Sequence, residues 1–501
     1  MRGLSVYFLG STSNKTQGST PLVSPLFAAV SIMDGMDEKE RRQYEQLVLT
    51  PIHRLIPRLA IPTVVSMMTT MLYNLVDAYF VGKLGTSAAA ATGVLMSVQA
   101  VFQAIGFMLG HGSGTNISVG LGRGDTDGAS VYLSTAFFGG MAISGVLMAL
   151  GLVFLTPLMW ALGSTQTILP YARTYGAYML VAGPALTMSC VLNNVMRYEG
   201  RASYAMIGLV SGGILNMVGD PIFMFGLDMG IAGAGLSTAI SEYVSLAILL
   251  HMFLSGKTIS RLRVSRVARR PYEWVHIFRN GLPSLLRQVL NATSTIILNL
   301  SAAPYGDAAI AAMTIDGRVM MLFGSVLIGI GQGFQPVAAY DYGAKKYARL
   351  REAAVFTWRV SEVLLCVCAV LGWVYAAPVV RLFRDDPDVV SVGVVALRCM
   401  CVAVVAQPLS VVANMTFQSI GRSREASFLA SLRTGICYIP VLLVMPHVWG
   451  LFGIQSAQMI ADILASAISL PFLVSLFREL PPDDEPSPTD QAYQAAVAAE
   501  R

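Results

Sequence analysis

Charged residues are scarce in this 501-residue chain. Asp, Glu, Lys and Arg together make up 13% of it, whereas hydrophobic residues make up 54%. A soluble globular chain carries roughly twice that share of charge. The composition therefore argues against a soluble protein, and the formal net charge of +5 requires no nucleic-acid partner, because the basic residues collect in loops.

Clustered histidines and patterned cysteines are also lacking. The five histidines are scattered, and the six cysteines lie in apolar segments without CxxC spacing. Such cysteines are interpreted as small packing residues. The sequence predicts no metal centre of His or Cys ligands and no catalytic residue.

Two glycine-rich runs, residues 110–114 and 329–333, lack the Lys-Ser/Thr ending of a phosphate-binding loop. Close packing of helices explains them better. His111, within the first run, is interpreted as a packed or hydrogen-bonded residue, because no second His or Cys shares its helical face. We therefore expect no nucleotide-driven pump.

Long apolar runs are abundant. Stretches of about 20 apolar residues, the length that crosses a bilayer as a helix, recur between Ile56 and Phe477. We count about twelve spans, six on each side of a linker with six basic residues between Lys257 and Arg270. This pattern predicts an all-α integral membrane protein of two six-helix lobes. The predicted organisation is an N-terminal extension (1–50), a first lobe (51–256), the basic linker (257–275), a second lobe (276–477) and a tail (478–501).

The two halves repeat each other. Asn193 and Gly200-Arg201 recur as Asn414 and Gly421-Arg422, an offset near 220. Two parallel copies related by an axis along the membrane normal would place a substrate path between the lobes. The basic loops predict a cytoplasmic linker and cytoplasmic termini. Met33 and Met36 each precede a sequence that resembles a protein start, so we treat residues 1–35 as a candidate upstream extension.

A carboxylate and a carboxamide interrupt the apolar segment from about Ala205 to Phe225. An ionisable side chain in mid-bilayer costs roughly 3 kcal/mol, so such residues usually face a cavity. Asn216 and Asp220 are four residues apart and share one helical face, and Pro221 leaves a carbonyl without its helical donor. This pattern favours a cation or proton site; the alternative is that Asp220-Pro221 only bends the helix.

Other polar groups could join this site. Asp77 in the first span has Tyr73 and Asn74 close by, which favours a polar cluster over an interfacial Asp beside Lys83. Two carboxylates in one site would titrate as a coupled unit, which suits proton exchange. Thr238 could add a hydroxyl ligand, although a bond to its own helix backbone is commoner.

Further charges fall within the second half and the last span of the first. Glu242 and Asp462 match by the offset of 220, and Asp316 lies in the second half. Buried charges need partners, so we favour structural ion pairs for this set. The alternative is a cavity-lining role for Glu242 or Asp316, as for Tyr73 and Asn74.

The chain resembles the multidrug and toxic compound extrusion (MATE) family, in particular the MepA-type exporters of its DinF-like branch. The resemblance covers roughly Pro51 to Leu476. The segments that carry it are Leu72-Tyr73-Asn74-Leu75-Val76-Asp77, Val81-Gly82-Lys83-Leu84-Gly85, Asn216 with Asp220-Pro221, and Gly331-Gln332-Gly333-Phe334-Gln335-Pro336.

This resemblance implies two six-helix lobes that form an outward-opening V, and export of cationic or amphipathic compounds against inward H⁺ or Na⁺ flow by alternating access. It implies a cation site on Asp77, Asn216, Asp220 and Thr238. The NorM-like branch instead has acids in the seventh and tenth helices, and this chain has none in 276–302 or 391–417.

Together these expectations describe a monomer in the bacterial plasma membrane that contacts lipids and takes small drug-like substrates. No cofactor is expected beyond the coupling ion, and no metal beyond a monovalent cation at the coupling site. Two alternatives stay open: a flippase for a lipid-linked precursor, and an integral-membrane enzyme acting on lipid-phosphate substrates.

Overall fold

The computed structural model describes residue 43 and residues 45–481. Most of the predicted N-terminal extension, including the candidate upstream residues, and most of the predicted tail lie outside the described residues. Within the described part the chain is helical and has no strand.

Seven α-helices precede the linker and eight follow it within residues 45–481. The first half contains α1 (Ile52–Gly82), α2 (Thr86–Gly122), α3 (Thr126–Val153), the short α4 (Leu155–Ala161), α5 (Leu169–Tyr198), α6 (Ala202–Pro221) and α7 (Ile231–Leu254). The second half contains α8 (Pro271–Ala302), α9 (Asp307–Gly343), α10 (Tyr347–Val374), the short α11 (Ala376–Phe383), α12 (Pro387–Ser419), α13 (Ser423–Ser431), α14 (Tyr438–Trp449) and α15 (Leu451–Glu479). Short π-helical segments occur at Glu45–Leu49, Ile222–Gly226 and Leu432–Ile436.

Eleven helical segments are long and apolar enough to cross a membrane, judged by length and composition. The predicted span that does not qualify is α8, although it is 32 residues long. Its apolar run is interrupted by Arg287, Gln288 and Asn291. The expected all-helical membrane fold is confirmed, with α8 as its most polar long helix.

The sequence repeat is also a structural repeat. Backbone positions with positive φ recur at Gly85 and Gly306, and at Gly200 and Gly421, each pair 221 residues apart by subtraction. Gly230 (φ 55°, ψ −132°) and Gly450 (φ 58°, ψ −134°) begin the last helix of each half in nearly the same conformation, which glycine adopts without a Cβ clash.

Two buried side-chain bonds repeat as well. Asn193 Nδ2 donates to the Ala205 carbonyl at 2.8 Å, and Asn414 Nδ2 donates to the Ala426 carbonyl at 2.7 Å. Each bond joins the fourth long helix of its half to the start of the next. The predicted two-fold relation therefore extends to individual hydrogen bonds.

Glycines bring the backbones of the two halves together. A Cβ added to Gly112 of α2 would lie 2.0 Å from the Ile277 carbonyl oxygen of α8, and one added to Gly281 of α8 would lie 2.0 Å from the Met108 carbonyl oxygen. The glycine-rich run of α9 likewise lets its backbone approach that of α1, since a Cβ on Gly333 would lie 2.5 Å from Cα of Ala60. Close helix packing therefore accounts for both runs.

His111 belongs to the same contact between halves. The histidine is buried, and its Nδ1 lies 3.1 Å from the Phe107 carbonyl and 3.2 Å from the Ser284 hydroxyl of α8. This is the packed, hydrogen-bonded role expected from the sequence.

The linker forms hydrogen bonds with α3 and with the residue that follows α5 in the first half. The buried carboxylate of Glu199 accepts hydrogen bonds from the backbone N–H groups of Ile259 (3.0 Å) and Ser260 (3.1 Å). Further along, the Thr135 hydroxyl accepts from the N–H of Ala268 at 2.8 Å, and Ser130 accepts from that of Arg261 at 3.0 Å. The linker is thus attached to the first half over most of its length.

Candidate functional site

The end of α6 carries the two polar residues that interrupt its apolar sequence. Asn216 is 3% exposed and Asp220 is fully buried. The α-helix ends at Pro221, because proline has no N–H, and the next five residues form the π-helical segment Ile222–Gly226. Single-turn π segments in helices occur frequently at functional sites.

Asn216 joins the polar groups of two helices. Its Nδ2 donates to Asp220 Oδ1 at 3.3 Å and to the Thr238 hydroxyl of α7 at 3.2 Å. Thr238 in turn donates to the Ala234 carbonyl of its own helix at 3.0 Å. Both interpretations of Thr238 therefore hold together: it bonds its own backbone, and its oxygen also faces Asn216.

Asp77 of α1 completes the group. Its carboxyl faces that of Asp220 within hydrogen-bonding reach. Lys83 does not pair with it, because the ammonium lies over the Tyr79 ring at 4.5 Å. The structure thus brings Asp77, Asn216, Asp220 and Thr238 together, and we call these four residues the oxygen cluster.

Three oxygens of this cluster lack a donor. Asp77 Oδ1, Asn216 Oδ1 and Asp220 Oδ2 are buried and have no hydrogen-bond partner within the described part of the chain. Two carboxyl groups that face each other repel unless a proton or a cation lies between them. The arrangement can therefore take up a proton, or a cation that prefers oxygen ligands.

Two narrow cavities lie beside the cluster in the first half. One has room for about one water molecule and is lined by Tyr73, Asn216, Thr238 and Glu242, among others. The second has room for no more than about one water molecule and is lined by Gln99, Phe102 and Met179 among others, and Thr238 and Glu242 line it too. Glu242 and Thr238 therefore line both cavities.

Other candidate residues lie apart from these cavities. Asn74 is exposed on α1 and does not line either of them. Asp316 lies in the second half, near Cys399, Cys401 and Tyr438. Neither residue joins the oxygen cluster.

Asp462, the match of Glu242 in the second half, has a full set of partners. It is fully buried, and its carboxylate pairs with Arg433 Nε at 3.0 Å and accepts from Gln407 Nε2 at 2.9 Å. The structural ion pair expected for this set occurs here. Glu242 is different, because it makes no ion pair or hydrogen bond with residues 45–481.

Two neighbours of the cluster were not anticipated from the sequence. Ser237 donates to the Asn216 carbonyl at 3.3 Å, and the buried Tyr175 of α5 contacts Thr238. Ser237 could have been inferred from its position beside Thr238. Tyr175 had no signal, since a tyrosine in an apolar helix is ordinarily a packing residue.

No group of three or more His, Cys, Asp or Glu side chains that could hold a metal ion occurs among the residues that the structure describes. The oxygen cluster has two acids, supplemented by an amide and a hydroxyl. It differs in this respect from a site for a divalent metal, which usually has more charged ligands.

Comparisons with known proteins agree with this architecture. The chain is 28% identical over 422 residues to the "Multidrug export protein MepA" of Staphylococcus saprophyticus, which covers 84% of this chain and 93% of that protein. It is 26% identical over 431 residues to the MepA protein of Staphylococcus aureus strain MSSA476, covering 86% and 95%. These relatives are named as exporters, not as enzymes.

Solved structures share the fold. A crystal structure of MATE in complex with MaL6 superposes with a TM-score of 0.84 at 23% identity, covering 89% of this chain and 99% of that one. A MOP superfamily transporter from Pyrococcus furiosus gives a TM-score of 0.83 at 24% identity, with the same coverage.

The MatE family model matches the chain twice, at residues 62–222 and 283–444, once in each half. The interval between the two matches is 221 residues (283 minus 62), the same interval that separates the repeated glycines. The two matches together span more than half of the chain, which therefore belongs to the MatE family and is a multi-pass membrane protein.

Proposed function

We propose that this protein is a secondary active multidrug exporter. It exchanges cationic or amphipathic compounds, carried out of the cell, for inward-moving H⁺ or Na⁺, and it works by alternating access. The observation that carries this proposal is the oxygen cluster among the apolar helices of the first half. Its two carboxyl groups face each other, and three of its buried oxygens have no hydrogen-bond donor among the described residues. Such an arrangement is stable only with a proton or cation bound for part of the cycle.

The relatives support the transport part of the proposal. Two of them carry the name "Multidrug export protein", and each aligns with more than four-fifths of this chain. The structural repeat supports alternating access, because two parallel halves can rock against each other around a path between them.

The two alternatives are less favoured. A flippase for a lipid-linked precursor would have to bind anionic phosphate, whereas the charged residue that lines both cavities is the carboxylate Glu242. A membrane enzyme acting on lipid phosphates would need clustered acids or histidines near the interface, and the histidines of this chain are scattered.

The expected setting is the plasma membrane of a bacterium, with the protein as a monomer and both chain ends in the cytoplasm. The basic linker supports this orientation through the positive-inside rule. A cysteine introduced at Arg266 should therefore resist membrane-impermeant reagents added to intact cells. Labelling from outside would reverse the proposed orientation.

Drug efflux from proteoliposomes tests the function directly. Purified protein is reconstituted, and a proton gradient and a sodium gradient are imposed separately. Efflux of a fluorescent organic cation that depends on one gradient, and is lost in Asp220→Asn, is the expected result. Efflux that depends on neither gradient would contradict secondary transport.

A further inference from the structure

The segment before α1 lies across the end of both halves. It consists of Gln43 and residues 45–50, includes the π-helical turn Glu45–Leu49, and we call it the strap. Leu47 is fully buried and Val48 is 5% exposed. A segment near a chain end is held in place only where packing or hydrogen bonds attach it. The strap has contacts of both kinds.

On the first half, the strap is bonded to the turn that follows α5. Gln43 Nε2 donates to the Glu199 carbonyl at 2.6 Å, and Gln46 Nε2 donates to the Gly200 carbonyl at 3.3 Å. Gly200 has a φ of 76°, and a Cβ built on it would lie 2.9 Å from Cδ2 of Leu47. A side chain at this position would displace Leu47, so the strap packs directly on the turn.

On the second half, the strap is bonded by one charged side chain. Arg349 of α10 donates from Nη2 to the Thr50 carbonyl at 2.6 Å and to the Leu47 carbonyl at 3.0 Å. Its Nε lies 3.3 Å from the buried carboxylate of Asp341, near the end of α9. Hydrogen bonds from a charged donor are stronger than those between neutral groups. The guanidinium therefore joins the strap to two helices of the second half.

Beside the strap, the ends of α2 and α9 meet without room for a side chain. A Cβ on Gly122 would lie 2.4 Å from the Tyr340 carbonyl oxygen, and a Cβ on Gly343 would lie 2.2 Å from the Val119 carbonyl oxygen. The two glycines are 221 residues apart, as are Val119 and Tyr340, so the contact lies on the axis that relates the halves. The path between the halves is therefore closed at the face where the linker lies.

The linker holds the halves in a corresponding way. By the interval of 221, residues 43–50 match residues 264–271 at the end of the linker, and α3 matches α10, since they begin at Thr126 and Tyr347. The strap leads into α1 and bonds α10, whereas the linker leads into α8 and bonds α3. Both segments also bond Glu199, so they lie on one face. Each joins the first helix of one half to the third helix of the other.

We propose that the strap is a latch that holds the two halves together at the linker face, and that its bonds to Arg349 break each time the path opens there. The proposal rests on the alternating-access part of the proposed function, and it names the segment that sets how often the closed face opens. An equilibrium between closed and open states shifts by the free energy of contacts that exist in only one of them. Weakening the strap should therefore populate the open state.

Labelling of a buried thiol measures this opening. Ser118 of α2 is fully buried and donates to the Pro336 carbonyl of α9 at 3.1 Å, so a cysteine in its place is accessible only when α2 and α9 separate. The six native cysteines are first replaced by alanine. The full-length Ser118→Cys protein in lipid nanodiscs is then reacted with a water-soluble maleimide. Arg349→Gln should raise the labelling rate about tenfold, as expected for loss of a charge-assisted hydrogen bond.

Two further variants make the result interpretable. Arg351→Gln makes the same change one turn from the strap on α10, where the guanidinium donates to the Leu480 and Pro481 carbonyls of the second half only. This control should label at the parent rate. The double variant Gln43→Ala with Gln46→Ala weakens the strap from the first half and leaves Arg349 intact. It should also accelerate labelling, which separates release of the strap from any loss of folding caused at Arg349.

The latch is refuted if folded Arg349→Gln and the double glutamine variant both label at the parent rate, or if Arg351→Gln accelerates labelling as much as Arg349→Gln does. Failure of the export function looks different. In that case neither gradient drives efflux in the wild type, yet labelling still depends on the strap. Conversely, gradient-driven efflux with labelling that is independent of the strap would remove the latch and keep the exporter.

Discussion

The two halves of this protein share a backbone plan but differ at one matched pair of acids, Glu242 and Asp462. In the first half, Asp77 and Asp220 face each other and Glu242 lines two cavities without a cation. In the second half, Asp462 is neutralised by Arg433 and held by Gln407. The repeated fold thus groups unpaired acids in the first half and pairs the acid that matches Glu242 in the second half.

The fifth span of each half shows how this difference is built. Both spans contain a five-residue π-helical segment, Ile222–Gly226 in the first half and Leu432–Ile436 in the second. The first follows Asp220-Pro221, whereas the second contains Arg433, the partner of Asp462. By the offset of 220, Asn216 corresponds to Ile436 and Asp220 to Pro440, so the second half lacks the ligands of the oxygen cluster.

The largest expected effect is on coupling. Asp77→Asn or Asp220→Asn should abolish gradient-driven efflux, because an amide cannot exchange a proton or neutralise a cation. Folding should be largely retained, since an isosteric amide removes a buried charge. Efflux from proteoliposomes, with thermal unfolding of each purified variant, provides the measurement. If Asp220→Asn retained coupling at the wild-type level, the proposed location of the coupling site in the first half would be wrong.

Asp462→Asn should instead reduce stability. The change leaves Arg433 without its counter-charge, and removing one partner of a buried pair costs about 3 kcal/mol. Glu242→Gln, at the matching position, should cost little because no partner is abandoned. Thermal unfolding of the two variants side by side tests the contrast. Equal losses of stability, or selective loss of coupling in a stable Asp462→Asn protein, would contradict it.

The contact between the halves should be sensitive to a single methyl group. Gly281→Ala places a Cβ 2.0 Å from the Met108 carbonyl, so the backbones must move apart, at a cost of about 1–3 kcal/mol. Gly145→Ala on α3 is the control, since nothing lies within 4 Å of the added Cβ there. The control should be neutral or slightly stabilising. Unfolding temperatures that rank the variants in the reverse order would show that the halves are not tightly packed at Gly281.

The smallest effects concern what the halves share. Asn193→Ala and Asn414→Ala each remove one repeated bond to a buried carbonyl, so each should cost about 1–2 kcal/mol, and the two values should agree. Thermal unfolding measures both. A large difference between them would mean that the structural repeat does not extend to the energies of these bonds.

Much of the site could be predicted from the sequence because its signals are local. The spacing of Asn216 and Asp220 fixes their common face, and the surrounding apolar residues mark their polarity as unusual. The ion-pair interpretation was confirmed for Asp462 and was wrong for Glu242 and Asp316, which form no ion pair among the described residues. Spacing along the chain could not separate the two, because the partner of Asp462 lies 29 residues away on another helical segment.

Other features depend on contacts between residues that are distant in sequence, and these contacts could not be predicted from the sequence alone. The glycine-rich runs predicted close packing, but not that α2 would touch α8 of the other half. The π-helical segments depend on a shift of one hydrogen bond, for which Pro221 is the nearest signal and the second half has no equivalent adjacent proline. Attachment of the linker to Glu199 was likewise invisible, since Glu199 resembles an ordinary helix-terminal residue.

That attachment sets a mechanical limit. The last hydrogen bond from the linker to the first half joins Ala268 to Thr135, and α8 begins at Pro271. Only Arg269 and Arg270 lie between this bond and the start of α8. Ala268 and Pro271 are three residue steps apart and can therefore separate by at most about 11 Å when that stretch is fully extended. The first half is therefore joined to α8 by a short connection. A wider separation at this point requires the linker to lose its hydrogen bonds to Thr135, Ser130 and Glu199.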